Sequence, residues 1–168
     1  VYKRQSWGGQ ESFIKLLSDL PNDFAGLIVG PHDSARPKYY ESLKKLIEEY
    51  RLKNRVYFYE AKNDIREVYF LSEVILNLSS KPEAFGMKLL EAAMMEKKIA
   101  GWDHGGSGEI LDMCFPQGKV EFNNFDLLCQ KIKELASNDE VPKNIFLTST
   151  LLHEKTVAFY VDALNKNY

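Results

Sequence analysis

Apolar and polar positions along this chain follow two alternating rhythms: a period near 3.6 residues, and short unbroken apolar runs. Phe13, Leu16, Leu17 and Leu20 recur at helical spacing and predict a helix over Gln10–Leu20. Phe24–Val29 is a short apolar run that stops at Gly30-Pro31, so it reads as a buried strand followed by a turn. Pro37–Arg51 is predicted to be an amphipathic helix, with Pro in its first turn and Leu43, Leu46, Ile47 and Tyr50 on one face. A strand over Arg55–Tyr59 follows, then a short helix over Asp64–Leu71 with Ile65, Val68 and Tyr69 inward, then a strand over Glu73–Leu78. A helix over Gly86–Glu96, a strand over Ile99–Trp102 and a short helix over Gly106–Asp112 continue the alternation. Helices over Phe125–Ala136 and Ser149–Leu164 complete it.

Strands alternating with helices of this length imply right-handed crossovers and an α/β domain with a mostly parallel sheet covered on both faces. Open sheets of this kind bind ligands at the carboxyl ends of their strands, near a switch in strand order. The residues to read for function are therefore Gly30-Pro31-His32, Glu60-Ala61-Lys62, Ser79–Gly86 and Asp103–Gly108. The last helix carries Leu151, Leu152, Val157, Phe159, Tyr160, Val161 and Leu164, apolar on more than one side. Two explanations stand: packing on this domain's own core, or cover by another part of a longer chain.

Composition narrows the class without naming it. The 168 residues are enough for one domain with a sizeable core. With 45% hydrophobic and 27% charged residues and a net charge of −2, the chain is an ordinary globular one and has no basic excess for nucleic acid. Cys114 and Cys129 form no ligand-like cluster and read as reduced thiols, which together with the absence of a signal peptide points to the cytoplasm. No apolar run approaches the roughly 20 residues of a membrane-spanning helix, while peripheral attachment to the inner face of a membrane stays open. Val1–Gln5 contains no Met and equals the translated end of a transposon adapter used in sequencing libraries. The expectation is that these five residues are not native, that natural sequence begins near Ser6, and that the chain is the back part of a longer protein.

The richest segment for chemistry is Ser79–Ala92. Glu83 and Glu91 stand with seven residues between them, around Phe85-Gly86. Pro82 and Gly86 break the chain between strand and helix. Phe85, Gly86 and Met87 place backbone N–H groups at a helix N-terminus, where the dipole favours anions and hydroxyl oxygens. Gly86 permits close approach of a ligand to the backbone. Glu91 falls about one and a half turns into the helix. A carboxylate there can accept two hydrogen bonds from a vicinal diol such as ribose, and Glu83, outside the helix, can reach a sugar hydroxyl. Two surface glutamates flanking a helix start would have the same spacing. Gly105-Gly106-Ser107-Gly108 opens the next helix; it can receive a phosphate or sugar oxygen, or serve only the chain path. His32, His104 and His153 are unclustered, which argues against a metal site. No Gly-x-Gly-x-x-Gly follows a strand, which disfavours a nicotinamide dehydrogenase.

On these residues the chain resembles the C-terminal donor-binding domain of retaining glycosyltransferases of the two-domain GT-B type, the group 1 or family 4 class. That family carries a Glu-x7-Glu motif enclosing Phe-Gly, matched by Glu83 and Glu91. Four further segments are similar to the family in the same order: Trp7-Gly8-Gly9-Gln10-Glu11; Leu27-Ile28-Val29-Gly30; Tyr40–Leu52 followed by Arg55-Val56-Tyr57-Phe58; and Gly105–Ile110. The resemblance implies a Rossmann-like three-layer domain, one half of a GT-B architecture. It implies that Glu83 faces the donor sugar as the catalytic-site carboxylate, that Glu91 binds the ribose, and that Phe85, Gly86 and Met87 hold sugar and phosphates. Lys88 either adds charge near a phosphate or is a solvated helix lysine. Gly8 and Gly9 correspond to the loop entering the first helix, and Tyr59, Glu60 and Ala61 to the strand end that meets the nucleobase.

The implied reaction is hexosyl transfer from a UDP- or GDP-linked sugar to a sugar, lipid-linked or polysaccharide acceptor in glycan biosynthesis, with retention and with no cofactor or metal. The acceptor site falls to a missing N-terminal domain, so this fragment alone is expected to be inactive. One position departs from the family: Gly8 stands where a lysine usually meets the diphosphate, Arg4 is nearby but at the wrong spacing, and the charge would fall to helix N-termini or to another cation such as Arg36. Three alternatives remain: a degenerate transferase, a non-catalytic nucleotide-sugar-binding module, and an epimerase or phosphorylase on the same architecture.

Overall fold

The computed structural model describes residues 2–3, 9–30, 37–60 and 65–142 of the chain. Among the described residues six strands and six α-helices alternate: β1 (Tyr2–Lys3), α1 (Gln10–Asp19), β2 (Gly26–Val29), α2 (Pro37–Glu49), β3 (Val56–Tyr59), α3 (Arg66–Leu71), β4 (Val74–Asn77), α4 (Met87–Met94), β5 (Lys98–Trp102), α5 (Gly106–Cys114), a 3-10 turn (Pro116–Gly118), β6 (Lys119–Val120) and α6 (Phe125–Ser137). All pairings are parallel, in the orders β1-β2-β3 and β4-β5-β6. The edge strand β1 of the first set comes within 8 Å, Cα to Cα, of β4 in the second. The two sets therefore continue one another as 3-2-1-4-5-6, and the strand order reverses between β1 and β4. That reversal is where open α/β sheets carry their sites.

Each element forms for a local reason. In α1, Phe13, Ile14, Leu16 and Leu17 face the core and are almost fully buried. Its C-terminal carbonyls have no intrahelical donors, and the Arg55 guanidinium supplies them. Nη2 donates to the carbonyls of Leu17 (2.9 Å), Leu20 (3.1 Å) and Pro21 (2.7 Å), while Nε donates to Phe24 (2.8 Å). In α2, Leu43 and Ile47 are buried, but Tyr50 is 37% exposed. The Tyr50 N–H still donates to the Leu46 carbonyl at 3.0 Å, but the helix stops at Glu49 and Arg51 turns left-handed with φ 57°, which leaves Tyr50 at the helix end. β5 is buried along its whole length. It begins one residue earlier than the apolar pattern indicates, because the buried Lys98 carries its ammonium out to the Glu73 carboxylate and the Asn138 carbonyl.

Three short pieces escape the pattern: β1, β6 and the 3-10 turn, of two, two and three residues. Tyr2 and Lys3 pair with Ile28 and Val29. Backbone pairing of this kind is blind to side chains, so it fixes the position of this segment and is neutral on its origin. The apolar helix expected over 149–164 lies outside the described residues, as do Arg4, Gly8, His32, Arg36, Ala61 and His153.

Candidate functional site

The end of β4 sets the site. Asn77 closes the strand and is only 1% exposed, so its amide must find partners inside the protein. Its Nδ2 donates to Glu83 Oε2 at 3.0 Å and to Ser107 Oγ at 2.6 Å. Its Oδ1 accepts from the Ser79 backbone N–H and from Lys88 Nζ, both at 3.4 Å. One buried amide thus joins β4, the Glu83 loop, the first turn of α4 and the start of α5. Lys88 Nζ also lies 3.3 Å from Glu83 Oε1, with the two side chains 22% and 30% exposed. The Glu83 carboxylate is therefore held on both oxygens, one by an amide and one by an ammonium.

The Phe-Gly turn is built by close backbone packing. Glu83 forms a parallel bridge with Gly105, and its carbonyl accepts the Gly106 N–H at 2.7 Å. A methyl on Gly106 would sit 2.5 Å from the Phe85 Cα, so only glycine lets the two turns touch. The Gly106 and Gly108 amides are used on backbone carbonyls, Gly108 donating to Gly105 at 3.0 Å. Of the two roles open to this glycine run, the geometry displays the structural one. Gly86 precedes α4 in the left-handed region at φ 69°, and no side chain caps the helix. A helix N-terminus without a side-chain cap presents amide donors that suit an anion or a hydroxyl oxygen. Phe85 and Met87 flank it at 38% and 51% exposure.

Glu91 lies on α4 and is exposed, and its Oε2 accepts the Tyr69 hydroxyl at 3.2 Å. Tyr69 belongs to α3 and is 2% exposed. Burial first, and then the Glu91 carboxylate, push the tyrosine hydroxyl well above its ordinary value, so it stays a donor. Gly9 caps α1 in the left-handed region at φ 79°, and a methyl there would collide with the Leu78 carbonyl. The mouth of α1 is thereby pressed onto the chain just beyond Asn77. Tyr59, 43% exposed, ends β3, and Glu60 follows it in the open. Both stand three strands from β4, about 14 Å at the usual interstrand spacing.

The structure thus gathers Glu83, Phe85, Gly86, Met87, Lys88 and Glu91 on one strand–loop–helix unit, with Gly9 beside it. Tyr59 and Glu60 sit further along the same edge. Sequence reasoning missed Asn77, Ser107 and the hydroxyl of Tyr69. Asn77 had a signal: a polar residue inside an otherwise apolar strand. Nearby, the His104 ring stacks on Phe122 with centroids 4.4 Å apart, and its buried Nε2 has no hydrogen-bond partner among the described residues. No group of His, Cys, Asp and Glu among the described residues could hold a metal ion, and no helix among them is long and apolar enough to cross a membrane.

Fold and site together define a Rossmann-like α/β domain, one half of the GT-B architecture. The family model for glycosyl transferases group 1 matches residues 3–146, and the chain belongs to that family. A glycosyltransferase from Rickettsia africae ESF-5 is similar at 31% identity and TM-score 0.71, over 79% of this chain and 35% of that one. HepE of Anabaena, solved with UDP and glucose, is 24% identical with TM-score 0.70, over 81% of this chain and 40% of its own. The C-terminal domain of a group 1 family protein, LpcC of Francisella tularensis, is 18% identical with TM-score 0.67, over 81% of this chain and 72% of that domain. The last two likenesses show the fold alone. This chain spans 35% and 40% of the first two chains. No curated protein sequence matches it.

Proposed function

We propose that this chain is the donor-binding part of a glycosyltransferase. The reaction moves a hexosyl group from a UDP- or GDP-linked sugar to an acceptor hydroxyl with retention at the anomeric carbon. The observation that carries the reading is the Glu83–Glu91 unit, in which a strand end, a Phe-Gly turn and an uncapped helix N-terminus hold two carboxylates in a chain of this family. Glu91 accepts hydrogen bonds from the ribose hydroxyls. Glu83 faces the donor sugar. The amides at Phe85, Gly86 and Met87 receive sugar and phosphate oxygens, helped by the α4 dipole. Backbone at Tyr59, Glu60 and Ala61 meets the base, and Gly9 lines the mouth of α1. The UDP in the solved HepE complex supports this ligand class.

Position 8 is glycine, so the diphosphate's charge falls on helix N-termini and on Lys88, whose ammonium stands 3.3 Å from Glu83. Those charges matter most as the leaving diphosphate gains negative charge in the transition state. The reading needs no cofactor beyond the donor. The acceptor, a sugar, lipid-linked or polysaccharide hydroxyl, and any catalytic group of a preceding domain lie outside residues 1–168, so this fragment binds donor and turns nothing over. Calorimetry with UDP, GDP and ADP, on protein shown by circular dichroism to be folded, tests the binding half. Heat from at least one nucleotide, weakened by Glu91→Ala, is expected. No heat from any of the three overturns the reading.

A further inference from the structure

We infer that Tyr69 is a positioning residue that fixes the Glu91 carboxylate for ribose, an inference that rests on the donor-binding reading above. The hydroxyl reaches Glu91 from outside its helix: Tyr69 is on α3, Glu91 on α4, with 21 residues between them in sequence. The ring is buried to 2% exposure and belongs to the main hydrophobic core, so its position is set by packing. Only its hydroxyl is offered outward, and it donates to Glu91 Oε2 at 3.2 Å. Glu91 itself is exposed. Without such a partner, a long exposed glutamate samples several rotamers and loses that freedom when it takes a ligand. An ionised carboxylate has about four acceptor sites. The Tyr69 bond uses one of them on Oε2, and Oε1 has no hydrogen-bond partner among the described residues. The arrangement leaves capacity for a vicinal diol while restricting where the carboxylate sits.

Tyr69 therefore acts through Glu91 and touches no ligand. Its loss should weaken recognition of the ribose hydroxyls and leave recognition of base and phosphates intact. A buried tyrosine kept only for packing would show no such selectivity.

The test compares whichever of UDP, GDP and ADP binds tightest with its 2′-deoxy counterpart, by calorimetry, across wild type, Tyr69→Phe, Glu91→Ala and the double variant. Wild type should prefer the ribonucleotide about tenfold, as expected for a hydrogen bond to a charged acceptor. In Tyr69→Phe the preference should narrow to about threefold, with 2′-deoxynucleotide affinity, which keeps only the 3′-hydroxyl bond to Glu91, falling less than ribonucleotide affinity, since part of the bond's strength lies in preorganisation. Glu91→Ala should abolish it, and adding Tyr69→Phe to that background should change nothing further. A Tyr69→Phe variant that keeps the wild-type preference overturns the role of Tyr69. A wild type without any preference overturns instead the assignment of Glu91 to ribose, and absence of binding by all three nucleotides overturns the donor-binding reading itself. A ligand-free measurement stands beside these: urea midpoints of the same four proteins should be non-additive, and strict additivity would remove the Tyr69–Glu91 coupling on which the inference depends.

Discussion

Replacing Asn77 by alanine should loosen the site from beneath. The substitution removes a neutral hydrogen bond to Ser107 Oγ at 2.6 Å and a charge-assisted one to Glu83 at 3.0 Å. A neutral bond is worth about 1 kcal/mol and one to a charged group about 1.5–3 kcal/mol. Ser107 is 4% exposed and has no route to solvent, whereas Glu83, 30% exposed, recovers part of its loss in water. The expected destabilisation is therefore about 2–4 kcal/mol, a large share of the roughly 5–15 kcal/mol that holds a domain together. Urea unfolding reads it directly. With a slope of about 2 kcal/mol per molar, the midpoint should fall by roughly 1–2 M at unchanged slope. Trp102, 1% exposed at the end of β5, makes intrinsic fluorescence a suitable signal. Asn77→Asp should be worse than Asn77→Ala at neutral pH, because it sets a second carboxylate against Glu83. It should recover as pH falls, starting above the ordinary carboxylate range, because burial and the neighbouring carboxylate both favour the protonated acid. A midpoint within about 0.3 M of wild type for Asn77→Ala would refute the claim that this amide ties the two turns together.

Two more outcomes follow from contacts elsewhere. Arg55→Lys keeps the charge but loses the planar fork that serves several carbonyls at once; it should cost about 1–3 kcal/mol in thermal unfolding, and a melting temperature equal to wild type would remove the clamp on α1. Tyr39 has its hydroxyl pushed up to about 12, by burial first and then by the charge of Glu11. The unfolded tyrosine releases its proton near 10, so Tyr39 adds stability that is fully present below pH 10 and is lost as pH rises towards 12. Urea midpoints at pH 9 and pH 11 should therefore fall less in Tyr39→Phe than in wild type, and equal falls would contradict the shift.

The alternation of helix and strand was readable because its elements are amphipathic or continuously apolar at the right lengths. What escaped was structure that no local period encodes. β1 and β6 are two residues long and exist only because a longer strand lies beside them. Lys98 breaks the apolar pattern of β5 yet lies inside the strand, since a flexible stem lets its charge reach Glu73. The placement of Glu83 and Glu91 in a loop and on the following helix was legible from Pro82, Gly86 and the spacing. Their supports were not. Asn77 and Ser107 have 29 residues between them, and Tyr69 could be read as an inward aromatic but not as a donor with a named acceptor. Arg55 appeared as the first residue of a strand, and its work is done on carbonyls more than 30 positions upstream.

The missing side chain at Gly106 has a mechanical meaning. Where it faces the Phe85 Cα, the β4–α4 and β5–α5 turns interlock, and neither can be enlarged without prising the other away. Bulk added there would spread the two turns at the carboxyl edge of the sheet, widening the ledge that carries Glu83. A residue with no ligand contact of its own thus works as a spacer for the aperture, set at its smallest value, and the two sequence motifs it joins behave as one hinge leaf rather than as separate loops.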